Sequence, residues 1–141
     1  MALIQVRQNY WAILAAGLAC FLLAAGWFTA FMMPWLEGTG RTIEWLKATG
    51  VSPGMQYGTA FVAAVVVAAA ISWFTQASGE QTMLRGVLIG ALLWFGLVLP
   101  TWVTEYIYEV RPISLLGINA GFWLIAMMMQ GAIVGGWKKK A

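Results

Sequence analysis

Four long apolar runs constrain this chain more than any other feature of its sequence. Crossing about 30 Å of hydrocarbon as a helix takes about 20 mostly apolar residues. Four segments have that character, 10–33, 55–74, 83–108 and 113–137. Backbone amides in lipid must bond within their own segment, so each run is predicted to be a helix. The sequence therefore predicts an all-α, integral membrane four-helix bundle that forms a single domain over residues 1–141.

The composition agrees with lipid as the solvent. The chain is 62% hydrophobic and 9% charged, whereas a soluble domain carries about 25% charged residues. Three of the eight basic residues form the tail Lys138, Lys139 and Lys140, and the others are scattered. Nucleic acid is not an expected partner, because no basic stripe with interleaved aromatic residues occurs.

The segments between the runs contain helix-capping residues. Ser52 followed by Pro53 is typical of an N-cap with proline at the first helical position. Thr82 is the predicted N-cap of the third span. Arg111 followed by Pro112 ends the third span and starts the fourth, because the residue before a proline avoids helical dihedral angles. The third and fourth spans are therefore predicted to form a tight hairpin.

Residues 36–50 join the first two spans and alternate in polarity. Apolar Ile43, Trp45 and Leu46 are interleaved with charged Arg41, Glu44 and Lys47. This pattern predicts a short helix that lies in the membrane interface. A plain loop is the alternative, because the segment also contains glycines.

The orientation of the chain follows from basic residues near the helix ends. An even number of spans places both termini on one side of the membrane. That side carries five basic residues, and the other side carries three: Arg7, Arg85, Lys138, Lys139 and Lys140 against Arg41, Lys47 and Arg111. Basic residues favour the cytoplasmic side, so both termini are predicted to be cytoplasmic.

The absence of histidine excludes many chemistries. His-ligated zinc, iron and haem sites and Ser-His or Cys-His nucleophiles all need this residue, and the chain has none. No lysine lies within a predicted span, which excludes a buried Schiff base. No phosphate-binding or dinucleotide-binding glycine motif occurs. We therefore predict no cofactor, no metal site and no catalytic residue.

The polar residues concentrate where the third span meets the fourth. Thr101, Glu105 and Tyr108 share one helix face, and Asn119 is expected to hydrogen bond to Thr101 or Glu105. Ionisable groups within spans are site candidates by default. The alternative is that Glu109 and Arg111 are merely solvated and that Glu105 only caps the hairpin. The candidate ligand-binding residues, for a polar headgroup, an ion or a proton, are Thr101, Glu105, Tyr108, Glu109, Arg111, Asn119 and Gln130.

Glycines four positions apart mark predicted packing surfaces. The pairs lie in the third and fourth spans: Gly86 and Gly90, Gly117 and Gly121, Gly131 and Gly135. Such pairs allow two helices to approach closely. They predict a homo-oligomer, most simply a two-fold dimer; packing within one chain is the alternative. Asn119 and Gln130 lie on the opposite face of the fourth span. This helix is therefore predicted to lie in the middle of the bundle or between the bundle and a subunit partner.

Several motifs resemble those of a known family. They are Asn9-Tyr10-Trp11, Gly26-Trp27-Phe28, the stretch from Leu99-Pro100-Thr101 to Arg111-Pro112, and Ile118-Asn119-Ala120-Gly121-Phe122-Trp123. The chain resembles, over nearly its whole length, the bacterial membrane family catalogued as domain of unknown function 1761. The resemblance implies a four-helix protein of the bacterial cytoplasmic membrane. It implies no established activity, cofactor or catalytic residue.

Three functions remain open from the sequence. The first is a non-catalytic homo-oligomeric bundle that binds membrane lipid or an unidentified membrane protein partner. The second is a channel or transporter for a small ion or solute, with Glu105, Asn119 and Gln130 along its path. The third is a lipid-modifying enzyme in which Glu105 or Glu109 acts as acid or base and Arg111 binds a phosphate.

Overall fold

The computed structural model describes residues 4–140, which form four long helices and two short ones without any strand. The helices are α1 (Tyr10–Ala30), α2 (Met32–Thr39), α3 (Ile43–Ala48), α4 (Pro53–Ala77), α5 (Met83–Tyr108) and α6 (Ile113–Gly136). Helices α1, α4, α5 and α6 are long and apolar enough to cross a membrane. The predicted all-α fold with a short helix between the first two spans is confirmed. Residues 1–3 and 141, which the predicted single domain includes, lie outside the described residues.

The predicted helix starts are confirmed by their hydrogen bonds. The Ser52 hydroxyl accepts from the Met55 N–H at 3.2 Å, and Pro53 occupies the first turn of α4. The Thr82 hydroxyl accepts from the Arg85 N–H at 3.1 Å at the start of α5. Each cap satisfies one of the N–H groups that the first helical turn leaves without a partner.

The first span is shorter than predicted. The chain leaves the helical conformation at Phe31 (φ −101°, ψ 17°), so α1 ends at Ala30 and not at Met33. Pro34 explains the difference, because it has no N–H with which to continue α1. A proline fits the first turn of a new helix, where its missing N–H would have no partner, and Pro34 lies in that turn of α2.

Helix α5 contains one π-helical turn, Trp94–Val98, just before Pro100. A proline inside a helix removes one hydrogen bond and crowds the carbonyl four residues earlier. The wider turn accommodates this disruption. The Thr101 hydroxyl also donates to the carbonyls of Leu97 and Val98, at 2.8 Å each, so polar backbone groups beside the proline find partners.

Helix α6 lies at the centre of the bundle, as its two-faced pattern predicts. It packs against α1, α4 and α5. In an 18-residue apolar stretch of each helix, 44% of α6 is buried inside the protein, but only 11% of α5. Helix α5 therefore presents most of its surface outward and is attached mainly through α6.

Close contact between α5 and α6 depends on four of the predicted packing glycines. A Cβ atom added to Gly86 would overlap the carbonyl oxygen of Gly131, and one added to Gly90 would overlap that of Met127. A Cβ atom on Gly135 would overlap the carbonyl oxygen of Thr82. Gly86, Gly90, Gly131 and Gly135 thus pack two helices of the same chain.

The remaining predicted glycines are less confined. An added Cβ at Gly117 would meet nothing within 4 Å, and one at Gly121 would meet only the Trp27 ring, at 3.8 Å. The four confined glycines of α5 and α6 already pack two helices of one chain, so they do not support a homo-oligomer. The homo-oligomer stays a prediction.

The two ends of the bundle are distinct. At the terminal end, formed by residues 4–9, 78–82 and 137–140, Asn9 Nδ2 donates to the Trp137 carbonyl at 3.2 Å. Lys138 and Glu80 form an ion pair there, at 3.7 Å. The opposite end holds residues 31–52 and the turn between α5 and α6, residues 109–112, and is called the hairpin end below.

The substitution Gly86→Ala tests the contact between α5 and α6. The added methyl group pushes the two backbones apart, so we expect the free energy of unfolding to fall by about 1–3 kcal/mol. Gly117→Ala on α6 is the matched control, because open space and better helix propensity make it neutral or stabilising by up to about 1 kcal/mol. Unfolding by denaturing detergent measures both. Equal stability of the two variants would contradict the contact.

Candidate functional site

Arg41 lies just after α2, separated from its last residue, Thr39, by Gly40. Gly40 adopts the left-handed conformation (φ 65°) that glycine tolerates best. The Gly40 N–H donates to the Glu37 carbonyl at 3.1 Å, and the Arg41 N–H donates to the Leu36 carbonyl at 3.2 Å. These two bonds form a Schellman motif, which fixes the direction in which the chain leaves the helix. The Arg41 guanidinium lies 4.3 Å from the centroid of the Trp45 ring, a cation–π contact.

Helix α5 ends in the same motif. The Val110 N–H donates to the Ile107 carbonyl at 3.2 Å, and the Arg111 N–H donates to the Tyr106 carbonyl at 2.9 Å. Here the left-handed residue is Val110 (φ 55°). This conformation costs an L-residue about 1–2 kcal/mol, and the Val110 side chain, 88% exposed, gains little by packing. The Arg111 guanidinium lies 5.4 Å from the Tyr106 ring centroid.

The two arginines meet at one cavity of about 250 Å³ at the hairpin end, called the arginine pocket below. It lies where the connection after α2 approaches the turn between α5 and α6. Its lining consists of Trp35, Gly38, Thr39, Arg41, Arg111, Leu115 and Asn119. Two elements that are distant in sequence therefore bring their cations to the same space.

The electrostatic character of the arginine pocket is cationic, because no carboxylate lines it. Glu109 pairs with Arg111 at its Nε, and both side chains stay about half exposed. Within residues 4–140, Arg41 forms no ion pair. The C-terminus of α5 and the N-terminus of α6 carry opposite half-charges side by side, so they largely cancel and the arginines dominate.

Tyr106 positions two residues of the pocket. It is buried, and its hydroxyl accepts from Asn119 Nδ2 at 2.7 Å. Its ring holds the Arg111 cation on one side and is nearly parallel to the Trp102 ring, with centroids 6.1 Å apart. Tyr106 thus holds both Arg111 and Asn119 in position.

The prediction that Asn119 hydrogen bonds to Thr101 or Glu105 was wrong, because Asn119 bonds to Tyr106. Helical side chains lean toward the N-terminus of their own helix. Helices α5 and α6 are antiparallel, so the Tyr106 side chain leans into the bundle while that of Asn119 leans toward the hairpin end. The two side chains meet even though their backbones are offset.

Three of the predicted site residues lie on the outer surface of α5. Thr101, Glu105 and Tyr108 are exposed and line no part of the arginine pocket. The inward face carries Trp102 and Tyr106 instead. In the sequence, this face is marked by two aromatic residues four positions apart, Trp102 and Tyr106. The prediction followed the neighbouring polar residues instead.

Gln130 lies away from the pocket, in the core. Its side chain is fully buried, and Nε2 donates to the carbonyls of Ala64 at 2.8 Å and Ala16 at 3.4 Å. It therefore links α6 to α4 and α1. Within the described residues its Oε1 has no hydrogen-bond partner.

Two indoles bond to the backbone of α6 beside Asn119. Trp27 Nε1 donates to the Ile118 carbonyl at 3.1 Å, and Trp94 Nε1 donates to the Ala120 carbonyl at 2.8 Å. These bonds tie α1 and α5 to the same turn of α6. The turn that carries Asn119 is consequently held from two sides.

Sequence reasoning missed the contribution of α2 and its end. Arg41, Trp35 and Thr39 line the pocket, whereas the sequence pattern predicts one interfacial helix over residues 36–50. Pro34 and Gly40, six residues apart, were the available signal for a separate short helix.

For metal ions, no three carboxylate or cysteine side chains come together anywhere in residues 4–140. The arginine pocket suits an anion.

The fold and the pocket define a class: a membrane protein with four apolar spanning helices and a cationic pocket at one end of the bundle. The family model described as "Protein of unknown function (DUF1761)" matches residues 11–135. The chain belongs to this family, which confirms the resemblance read from its motifs. No curated protein matched the chain. No solved structure matched it either.

Substitutions of Gln130 separate its packing from its hydrogen bonds. Gln130→Met keeps the side-chain volume and removes the unpaired oxygen, and interhelical polar bonds in membranes average only about 0.6 kcal/mol. We expect this variant to unfold within about 1 kcal/mol of the original protein. Gln130→Ala leaves a cavity and should cost about 2–5 kcal/mol. Detergent unfolding that shows both variants equally destabilised would contradict this order.

Proposed function

We propose that the protein binds an anionic membrane lipid without catalysing a reaction, and that the arginine pocket receives the headgroup phosphate. The observation that carries this proposal is the convergence of Arg41 and Arg111 on one cavity. A guanidinium presents a planar set of donors that matches phosphate oxygens. Asn119 adds an amide to the same lining.

The position of the pocket supports a headgroup as the ligand. It lies at the hairpin end, where the apolar spans α5 and α6 end and begin. Lipid phosphates occupy this level of a bilayer, together with the tryptophans and arginines that anchor membrane proteins. Trp35 lines the pocket and Trp45 holds Arg41. A lipid could therefore place its phosphate there without leaving the membrane.

The predicted orientation of the chain places the arginine pocket on one side of the membrane. If both termini are cytoplasmic, as the basic residues predict, the hairpin end faces away from the cytoplasm. In the bacterial cytoplasmic membrane implied by the resemblance, the arginine pocket would then meet the outer leaflet. This placement is part of the proposal.

The two alternative functions have less support. For transport, Glu105 would have to share a path with Asn119 and Gln130, yet Glu105 is on the outer surface and Gln130 is enclosed in the core. For lipid modification, Glu105 or Glu109 would have to act as acid or base, yet Glu105 is on the outer surface and Glu109 pairs with Arg111. The homo-oligomer, most simply a dimer, and a membrane protein partner remain proposals without a supporting contact.

Neutralising the arginines tests the proposal. Charge-assisted hydrogen bonds contribute about 1.5–3 kcal/mol each, so Arg41→Gln and Arg111→Gln should each weaken binding of phosphatidylglycerol about tenfold or more. Native mass spectrometry of protein released from nanodiscs measures the retained lipid, and it also counts the chains. Lys47→Gln is the control, because Lys47 carries the same charge at the same end and does not line the pocket.

The proposal would be contradicted by either of two results. One is retention of phosphatidylcholine as strong as that of phosphatidylglycerol, since the zwitterionic lipid carries no net charge. The other is full retention of phosphatidylglycerol by a variant that lacks both arginines.

Removing the partner of Arg111 should have the opposite effect. Exposed ion pairs contribute about 0.2–1 kcal/mol, so Glu109→Gln should free Arg111 and strengthen phosphatidylglycerol binding up to about fivefold. Glu105→Gln is the matched control, because it removes the same charge from an exposed residue that pairs with no arginine in residues 4–140. Unchanged or weaker binding by Glu109→Gln would argue against competition between the carboxylate and the lipid phosphate.

A further inference from the structure

An apolar cavity of about 320 Å³ lies next to the arginine pocket, between α2, α3 and the end of α1. It is called the α2–α3 cavity below. Its lining is entirely apolar and consists of Phe28, Met32, Trp35, Leu36, Ile43 and Leu46. Trp35 lines both this cavity and the arginine pocket, so the apolar space borders the cationic one.

A larger cavity of about 470 Å³ lies between α1 and α4 and is called the inter-helix cavity below. It is open to the outer surface of the bundle, because Met32, Tyr57 and Ala60 of its lining are exposed. It shares Phe28 and Met32 with the α2–α3 cavity. Phe122 and Trp123 of α6 form its floor. The shared residues therefore place the three spaces next to one another, from the hairpin end along α1 and α4.

Alanines create the inter-helix cavity. Ala24 and Ala25 of α1 and Ala60, Ala63 and Ala64 of α4 line it. Two helices whose facing residues are this small leave a space unless their backbones close together. Phe21 of α1 contacts the rings of Tyr57 and Phe61 of α4 across the same two helices. The space is consequently shaped by the choice of side chains on both helices.

We infer that one acyl chain of the bound anionic phospholipid runs from the arginine pocket through the α2–α3 cavity into the inter-helix cavity. This inference rests on the proposed function and specifies the ligand further. The occupant is a lipid of the surrounding membrane, whose phosphate meets Arg41 and Arg111 while one of its chains lies along these apolar spaces.

The chemistry of the lining excludes the simpler occupants. A buried water needs two to four polar partners, which the α2–α3 cavity does not offer. A free phosphate would occupy the arginine pocket and leave both apolar cavities empty. A phospholipid carries phosphate and hydrocarbon in one molecule, in the order in which the protein provides cations and apolar walls.

The energy of this arrangement comes from packing. A chain that leaves the cavity returns to lipid that is equally apolar, so the hydrophobic effect contributes little. What the protein supplies is close contact with aromatic rings on both sides of the chain. Filling the cavity should therefore weaken long-chain binding by a modest factor, while loss of the arginines should weaken it strongly.

Substitutions in the alanine wall test the path. We expect Ala24→Leu and Ala60→Leu each to reduce retention of dipalmitoyl phosphatidylglycerol about threefold or more, because the added side chain takes the space of the acyl chain. Binding of dihexanoyl phosphatidylglycerol, whose chains are too short to reach the alanine wall, should not change. Ala70→Leu, an exposed position of α4 outside the cavity, is the matched control.

The outcomes separate the inference from the proposed function. If the cavity variants retain both lipids as the original protein does, the chain path is wrong and the headgroup site stands. If the original protein binds neither lipid, the proposed function fails as well. Loss of both lipids by Ala24→Leu and Ala60→Leu, but not by Ala70→Leu, would also overturn the path, because the effect would then not depend on chain length.

A photoreactive lipid gives a second readout that needs no cavity variant. Phosphatidylglycerol with a diazirine near the end of one chain should label the segments around Cys20 and Ala64 in the original protein. Arg41→Gln together with Arg111→Gln should reduce that labelling several-fold. Labelling of the outward Leu84, Leu88 and Leu92 of α5, which meets bulk lipid, should stay the same. Equal labelling of both regions with and without the arginines would overturn the inference.

Discussion

The close approach of α5 and α6 is the contact on which the rest of the structure depends. Gly86 and Gly131 bring the two backbones together, and lipid offers no hydrophobic driving force that could replace this packing. With α5 fixed, α6 presents its other faces to α1 and α4. The arginine pocket follows from the same contact, because Arg111 and Asn119 lie on the turn and the helix that it positions.

The positive charge of the pocket is held in place by aromatic residues. Trp45 lies under Arg41, and Tyr106 lies under Arg111. A cation on a ring face is immobilised while its N–H groups, which lie in the guanidinium plane, stay available. The pocket is therefore ordered before a ligand arrives, so that binding loses less conformational freedom.

The features predicted correctly from the sequence are those set by neighbouring residues or by the membrane. The four spans follow from the thickness of a membrane, and the caps at Ser52 and Thr82 follow from unpaired N–H groups. The inward face of α5 was not predictable in this way. Thr101 and Glu105 mark a polar face, and only the partner helix decides whether such a face turns inward or toward the membrane edge. Arg41 was missed for a similar reason, since its role requires contact with a turn about 70 residues away.

The conformation of Val110 has a consequence for the stability of the hairpin. A left-handed β-branched residue costs about 1–2 kcal/mol, and the packing of α5 against α6 must offset that cost. The direction in which Arg111 leaves α5 therefore depends on contacts made along the length of the two helices, and not on the turn alone.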